Sequence, residues 1–298
     1  MPALQPKAET LVFEEWATAN RATLFAFAVN GHVQCIFTAR TCQWSTPEFI
    51  QSPAILVHGL SPGLNYGQHI FEGLKAFRHP NDEIAVFRPG DHAARFQRSA
   101  AFLEMPQVPK ILFLQCVDLA VRRNAEHVPP YDLVGSSLYI RPLEFASCMQ
   151  IGLDPPDEYT FCVYVQPHLR LHNVPNLKAL VADDFDRVAT RGSGKAKTGG
   201  NYACIPKWSR IAKEEGCHLL LHLDSSTQTQ IEEFSTSGFV GIRSGGNRPV
   251  TVLVSESDTV LDSITVDSIA VLAKSFGWRV ERRLVGKPLV PVSLCSSY

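Results

Sequence analysis

Two runs, SLYIRPLEF (137–145) and TFCVYVQ (160–166), constrain the fold of this chain most tightly. Both are rich in β-branched, aromatic and aliphatic residues, and turn chemistry bounds them at Gly135 and at Asp154-Pro155-Pro156. Short apolar runs of this kind belong at the centre of a sheet. The rest of the chain must cover that sheet or build another.

Residues 24–38, LFAFAVNGHVQCIFT, read as a strand pair about Asn30-Gly31. From Gln68 to Phe77, Ile70, Phe71, Leu74 and Phe77 recur at helical spacing, and IAVF (84–87) reads as a strand. Pro89 opens a helix over GDHAARFQRSAAFL, with Phe96, Ala100 and Leu103 on one face, and a second helix runs from Ile111 to about Asn124. HNVPNL (172–177) has no periodicity, so a boundary is expected near 170. Beyond it, LKALVADD and HLLLHLD (218–224) read as strands. A helix over Tyr202–Glu215, ended by Gly216, turns Ile205, Trp208, Ile211 and Ala212 inward. SSTQTQ turns the chain into IEEFSTSGFVGIR, and the helix SITVDSIAVLAKSFGW leads to the strand RVERRLV. The expected class is α/β with mixed sheets in two lobes: 1–170, a linker at 171–178, and 179–298.

Composition narrows the partners. A formal charge of -1 over 298 residues offers no basic surface for nucleic acid. No run approaches eighteen apolar residues, so no membrane span is expected. MPALQPKAETLVFEEW lacks the apolar core of a signal peptide and carries glutamates unlike a mitochondrial presequence, so the expected location is cytoplasmic. Eight cysteines, at 35, 42, 116, 148, 162, 204, 217 and 295, show no CxxC and read as reduced thiols; His32 with Cys35 falls short of a zinc site. No metal is expected, and the partner is a small molecule.

Chemistry concentrates in RGSGKAKTGGNYACIPKW (191–208). A phosphate-binding P-loop needs a glycine five residues before its Gly-Lys pair and Ser or Thr after the lysine; Ala189 and Ala196 stand there instead. The bland alternative is a solvated loop with two surface lysines. The third is covalent catalysis, in which a lysine amine forms a Schiff base with an aldehyde such as pyridoxal phosphate. That chemistry also needs a carboxylate for the pyridine nitrogen, cations or helix ends for the phosphate, and a donor near the phenolic oxygen.

KTGGNY (197–202), NYGQHIFEGLKAFR (65–78) and YIRPLEF (139–145) resemble the branched-chain aminotransferases, of the fold-type IV pyridoxal-phosphate enzymes, in the family's order from about residue 50 to about 284. The resemblance implies pyridoxal 5′-phosphate as cofactor, a homodimer, and ping-pong transamination between leucine, isoleucine or valine and 2-oxoglutarate. It makes Lys197 the lysine that holds the cofactor and moves the substrate proton, and Tyr202 the partner of the phenolic oxygen. It makes Glu233 the carboxylate facing the pyridine nitrogen; if the segment is a strand, alternation then points Glu232 the other way, toward solvent. Arg95, in HAAR with His92 a turn earlier, and the helix start at Ile264-Thr265 take the phosphate. Tyr66, Phe71, Tyr139 and Arg141 match positions near the substrate. Surface cations, an edge-strand charge and ordinary core are the structural alternatives for these residues.

Three departures qualify the resemblance. Gly238 stands where the family has asparagine, which removes a bracing side chain and loosens the strand. Val266 stands where the family commonly has arginine. After RVERRLV the family continues to a Gly-Thr-Ala phosphate turn, whereas this chain reads GKPLVPVSLCSSY. The expectation is therefore an incomplete C-terminal lobe with a divergent tail, 285–298, and bare apolar surface on 250–284. The alternatives are an impaired relative acting as a binding or dimerising protein, or a fold-type IV transaminase with another amine donor.

Overall fold

The computed structural model describes residues 29–168, 176–245 and 248–286. These fall into two compact units, 29–168 and 176–286. The strand expected at 24–28, residues 171–175 of the expected linker and the tail from 287 lie outside the described residues.

The N-terminal unit is built on β1 (His32–Thr38), β2 (Gln43–Trp44), β3 (Glu48–Ile50), β4 (His69–Phe71), β5 (Leu74–Arg78), β6 (Ile84–Val86), β7 (Ser137–Ala146) and β8 (Glu158–His168). Their order is β2-β1-β8-β7-β5-β6, with β3 on β1 and β4 on β7. The pairings are antiparallel, and β7 runs against β8 along its whole length. The strand period then sorts β7 by chemistry. Leu138, Ile140 and Glu144 turn to the core, while Tyr139 and Arg141 take the other face. A helical turn α1 (Pro62–Asn65) precedes β4. Helices α2 (Pro89–Phe102) and α3 (Lys110–Arg122) cover the core. There Phe96, Phe113 and Phe161 meet with ring centroids 5.4, 5.5 and 5.9 Å apart, the tilted and offset geometry aromatic clusters favour.

The helix expected over Gln68–Phe77 is instead β4 and β5. Four apolar residues at helical spacing are too short a run to fix a period, and pairing decides. Leu74 and Ala76 are buried while Lys75 and Phe77 are exposed, which is strand alternation, and β4 and β5 both hydrogen-bond to β7.

The C-terminal unit holds two sheets. In the first, β9 (Ala179–Ala182) lies parallel to β10 (Leu219–Leu223), which pairs antiparallel with β11 (Gln230–Phe234), itself paired with β15 (Val285–Gly286). The crossover from β9 to β10 carries the lysine loop, α4 (Gly200–Ala203) and α5 (Ile205–Glu214). Ala212, Ile205 and Trp208 of α5 pack on Ala182 and Leu220. The second sheet is β12 (Val240–Gly245), β13 (Arg248–Ser255) and β14 (Arg279–Arg283), with α6 (Ile264–Ser275) packed through Val266 and Ala273. Strand β13 is not among the elements expected above, although its run PVTVLVS carries the β-branched residues of a strand. Val271, Leu272 and Phe276 of the α6 region are exposed. Among the described residues no helix is long and apolar enough to cross a membrane, and seven cysteines are free thiols.

Candidate active site

The lysine loop leaves the C-terminal end of β9, the edge of a parallel pair where ligand-binding loops gather. Asn201 staples it: its amide nitrogen donates to the carbonyls of Ser193 at 2.9 Å and Ala196 at 3.1 Å, and its oxygen accepts from the Ser193 hydroxyl. That explains the asparagine of GGNY. Gly194 is demanded by space, since a Cβ there would lie 2.1 Å from the Thr259 carbonyl oxygen. A side chain at Gly200, by contrast, would meet nothing within 4 Å.

The two lysines separate. Lys195 is exposed and ion-paired with Asp258 at 2.8 Å, a surface pair of little consequence. Lys197 is half-buried, and its Nζ donates to the Tyr202 hydroxyl at 3.1 Å. The short helix α4 brings the amine and the phenol together across five residues.

Glu233 lies on β11, buried. Its Oε1 is 2.8 Å from Nη2 of Arg187, and both side chains are under one tenth exposed. Burial pushes the carboxyl up to about 7, against the charges of Arg187 and Lys197 and a hydrogen bond from the Leu261 amide. Glu232 takes the opposite face but does not reach solvent: it is buried and accepts a hydrogen bond from the Thr259 hydroxyl. The expected alternation holds and the expected exposure fails, because β11 is covered on both sides. Burial again raises its titration.

At the start of α6, Ser263 caps the helix by accepting from the Val266 amide at 3.2 Å. Ile264 is buried and Thr265 exposed in the first turn. The two departures from the family meet here. A Cβ on Gly238 would lie 2.7 Å from Cγ2 of Val266, so the valine fills the space the glycine leaves. Gly238 also bridges to Glu233 across the turn, so the segment is paired rather than loosened.

Arg95 lies in the other unit. Its Nε and Nη2 donate to the Glu72 carboxylate at 2.6 and 2.8 Å, and His92 Nδ1 lies 2.7 Å from the same group. Burial opposes the charge on Glu72, yet Arg95 and His92 outweigh it and hold the carboxyl down at about 2. On the opposite face of β7, Arg141 donates to the Tyr139 hydroxyl at 2.8 Å and lies 4.7 Å over the Phe71 ring. Tyr66 is half-exposed and, among the described residues, has no ring contact or side-chain hydrogen bond with that cluster. Lys197, Tyr202 and Glu233 thus share one unit, and Arg95, Phe71, Tyr139 and Arg141 the other.

Sequence reasoning misses Glu72, Arg187 and Thr259. A carboxylate inside the apolar run HIFEGL is a usable signal for Glu72. None exists for Arg187, which sits in the irregular stretch DDFDRVAT.

With that geometry in place, comparisons with known proteins are informative. A model of the amino-transferase class IV family matches residues 69–287. Aminotransferase apf4 of Gibberella fujikuroi is 53% identical over 263 residues, covering 86% of this chain and 69% of the relative. The branched-chain amino acid aminotransferase gloG of Glarea lozoyensis is 49% identical over 258 residues, covering 86% and 72%. The structure of the branched-chain amino acid aminotransferase from Escherichia coli is similar at a TM-score of 0.69 and 22% identity, covering 86% of this chain and 77% of that one; this likeness is one of fold.

Proposed function

We propose, for a chain that belongs to the class IV aminotransferases, that it transfers the amino group of leucine, isoleucine or valine to 2-oxoglutarate with pyridoxal 5′-phosphate as cofactor, and that it acts as a homodimer. The observation that carries this is the amine–phenol pair of Lys197 and Tyr202 in the same unit as a buried carboxylate, Glu233, that is balanced by a guanidinium. Amine, phenol and buried carboxylate are the donor set that a pyridoxal aldehyde, its phenolic oxygen and its ring nitrogen require, so the cofactor fits. Bound, it supplies an aldehyde for covalent capture of an amine and a ring that withdraws electrons.

The protein's own residues do the rest. Lys197 Nζ would be the nucleophile that holds the aldehyde, and its free amine would be the base that takes the substrate α proton. Tyr202 Oη, accepting from Nζ at 3.1 Å, fixes the amine's direction. An ionised Glu233 keeps a proton on the ring nitrogen. Arg95 and the first turn of α6, at Ile264 and Thr265, are the proposed phosphate ligands. Phe71, Tyr139, Arg141 and Tyr66 are the proposed substrate contacts, the aromatic faces suiting aliphatic side chains and the guanidinium a carboxylate. The name of the Glarea lozoyensis relative supports the branched-chain donor.

The test is spectroscopic. Purified with pyridoxal 5′-phosphate, the protein is expected to show a visible absorption band that bleaches on adding leucine and yields the matching 2-oxo acid, with Lys197→Ala abolishing both. A band unaffected by Lys197→Ala would overturn the proposal. Bleaching by a different amine alone would leave transamination standing and replace the donor. A binding protein without turnover is the second reading; the valine buried at the start of α6, where the family commonly carries a cation, favours it.

A further inference from the structure

We propose that Arg187 is a positioning residue for this reaction: clamped between the Glu233 carboxylate and the Thr259 carbonyl, it favours the ionised form of Glu233 and directs it at the cofactor's ring nitrogen. The proposal rests on the aminotransferase function and adds a residue that never touches the substrate.

The geometry is specific. Arg187 Nη2 is 2.8 Å from Glu233 Oε1 and also donates to the Thr259 main-chain oxygen. Thr259 is itself immobilised, its hydroxyl bonded to Glu232 and to Ser257. Gly194 is the glycine that lets the lysine loop pass this carbonyl, so the loop carrying Lys197 and the clamp on Glu233 are packed as one object. Meanwhile Arg187 Nε is buried with no hydrogen-bond partner among the described residues. The contacts that fix this guanidinium are the Glu233 carboxylate and the Thr259 carbonyl.

The surrounding charges leave Arg187 a decisive role. Glu233 faces Arg187 and Lys197, with Glu232 on the other side of its strand. His222 of β10 adds no second cation, because burial and the charge of Arg187 hold its titration down at about 4. Two buried carboxylates therefore share one guanidinium. Lys197 cannot replace it, since that amine must be uncharged when it acts as nucleophile and base.

The experiment uses the cofactor-free protein containing glutamate 13C-labelled at the side-chain carboxyl, with the Glu233 resonance identified through Glu233→Gln. Carbon NMR follows its titration in wild type, Arg187→Gln and Arg187→Lys, with folding checked by circular dichroism. Arg187→Gln is expected to raise the Glu233 midpoint by roughly one to three pH units. Arg187→Lys, a point charge without the fork, is expected to raise it by less, about threefold in proton affinity. In the loaded protein, 15N-labelled cofactor is expected to change from a protonated to an unprotonated ring-nitrogen signal at neutral pH in Arg187→Gln. A Glu233 titration identical to wild type in whichever variant folds would overturn the proposal. Failure of wild type to bind the cofactor would overturn the aminotransferase function instead, and the cofactor-free titration separates the two results.

Discussion

Among the described residues each unit contains one buried glutamate–arginine pair, and the two behave in opposite ways. In the N-terminal unit Glu72 receives two hydrogen bonds from Arg95 and faces His92, and it titrates at about 2. In the C-terminal unit Glu233 faces Arg187 through one oxygen and titrates at about 7. Burial is comparable, so the number and geometry of donors sets the difference. Glu144, on the core face of β7, extends the series: both its oxygens are buried without a hydrogen-bond partner among the described residues, and burial alone raises its titration far up. A carboxylate with a full set of donors is locked as an anion. One with half a set is poised near neutrality, which suits a group that must share a proton with a ligand. One with no donors is a neutral acid.

Three changes would break or sharpen that contrast. The largest effect is expected from Arg95→Met, which strands the Glu72 charge in the core. It should cost about 3–5 kcal/mol of stability in urea titrations at pH 7, and much less near pH 2, where Glu72 takes up a proton.

Next comes the pH dependence contributed by Glu233. Its folded value, about 7, is raised above an ordinary 4.5. Between those values the folded state therefore holds the extra proton, and stability falls as pH rises through that window. Glu233→Gln should remove a penalty of about 3 kcal/mol above pH 7, measured as the difference between wild-type and variant stability at pH 5 and pH 8. The same variant should lose transamination if the proposed role holds. Equal pH slopes in the two proteins would contradict the burial argument.

The smallest effect is expected from Glu144→Leu, which replaces an unsatisfied acid by apolar volume and should stabilise the N-terminal unit by about 1–2 kcal/mol. A loss of stability would mean that Glu144 has a partner and that the series ends at Glu233.

Much of this molecule can be read along the chain, and the successes and failures divide by length and by context. Helices α2 and α3 carry long apolar stripes and a proline start, and the central strands β7 and β8 carry long apolar runs; all four form where they are expected. The segment 68–77 fails because four apolar residues at helical spacing are too few to outweigh the hydrogen bonds that β7 offers to two strands. Alternation places Glu232 on the right face and says nothing of its environment, since one strand's pattern does not reveal what covers its second face. Gly238 and Val266 look like two independent losses and are one packing unit.

What the sequence determined by itself was the identity and order of the reactive groups. It supplied an amine at 197 with a phenol five residues on, paired carboxylates at 232 and 233, and an arginine one helical turn after a histidine. What only the tertiary structure decided was the proton affinity of the carboxylates. Proton affinity depends on lost water and on donors brought from distant segments, Arg187 to Glu233 across 46 positions and Thr259 to Glu232 across 27. Neither loss of solvent nor such pairing is a local property of a chain.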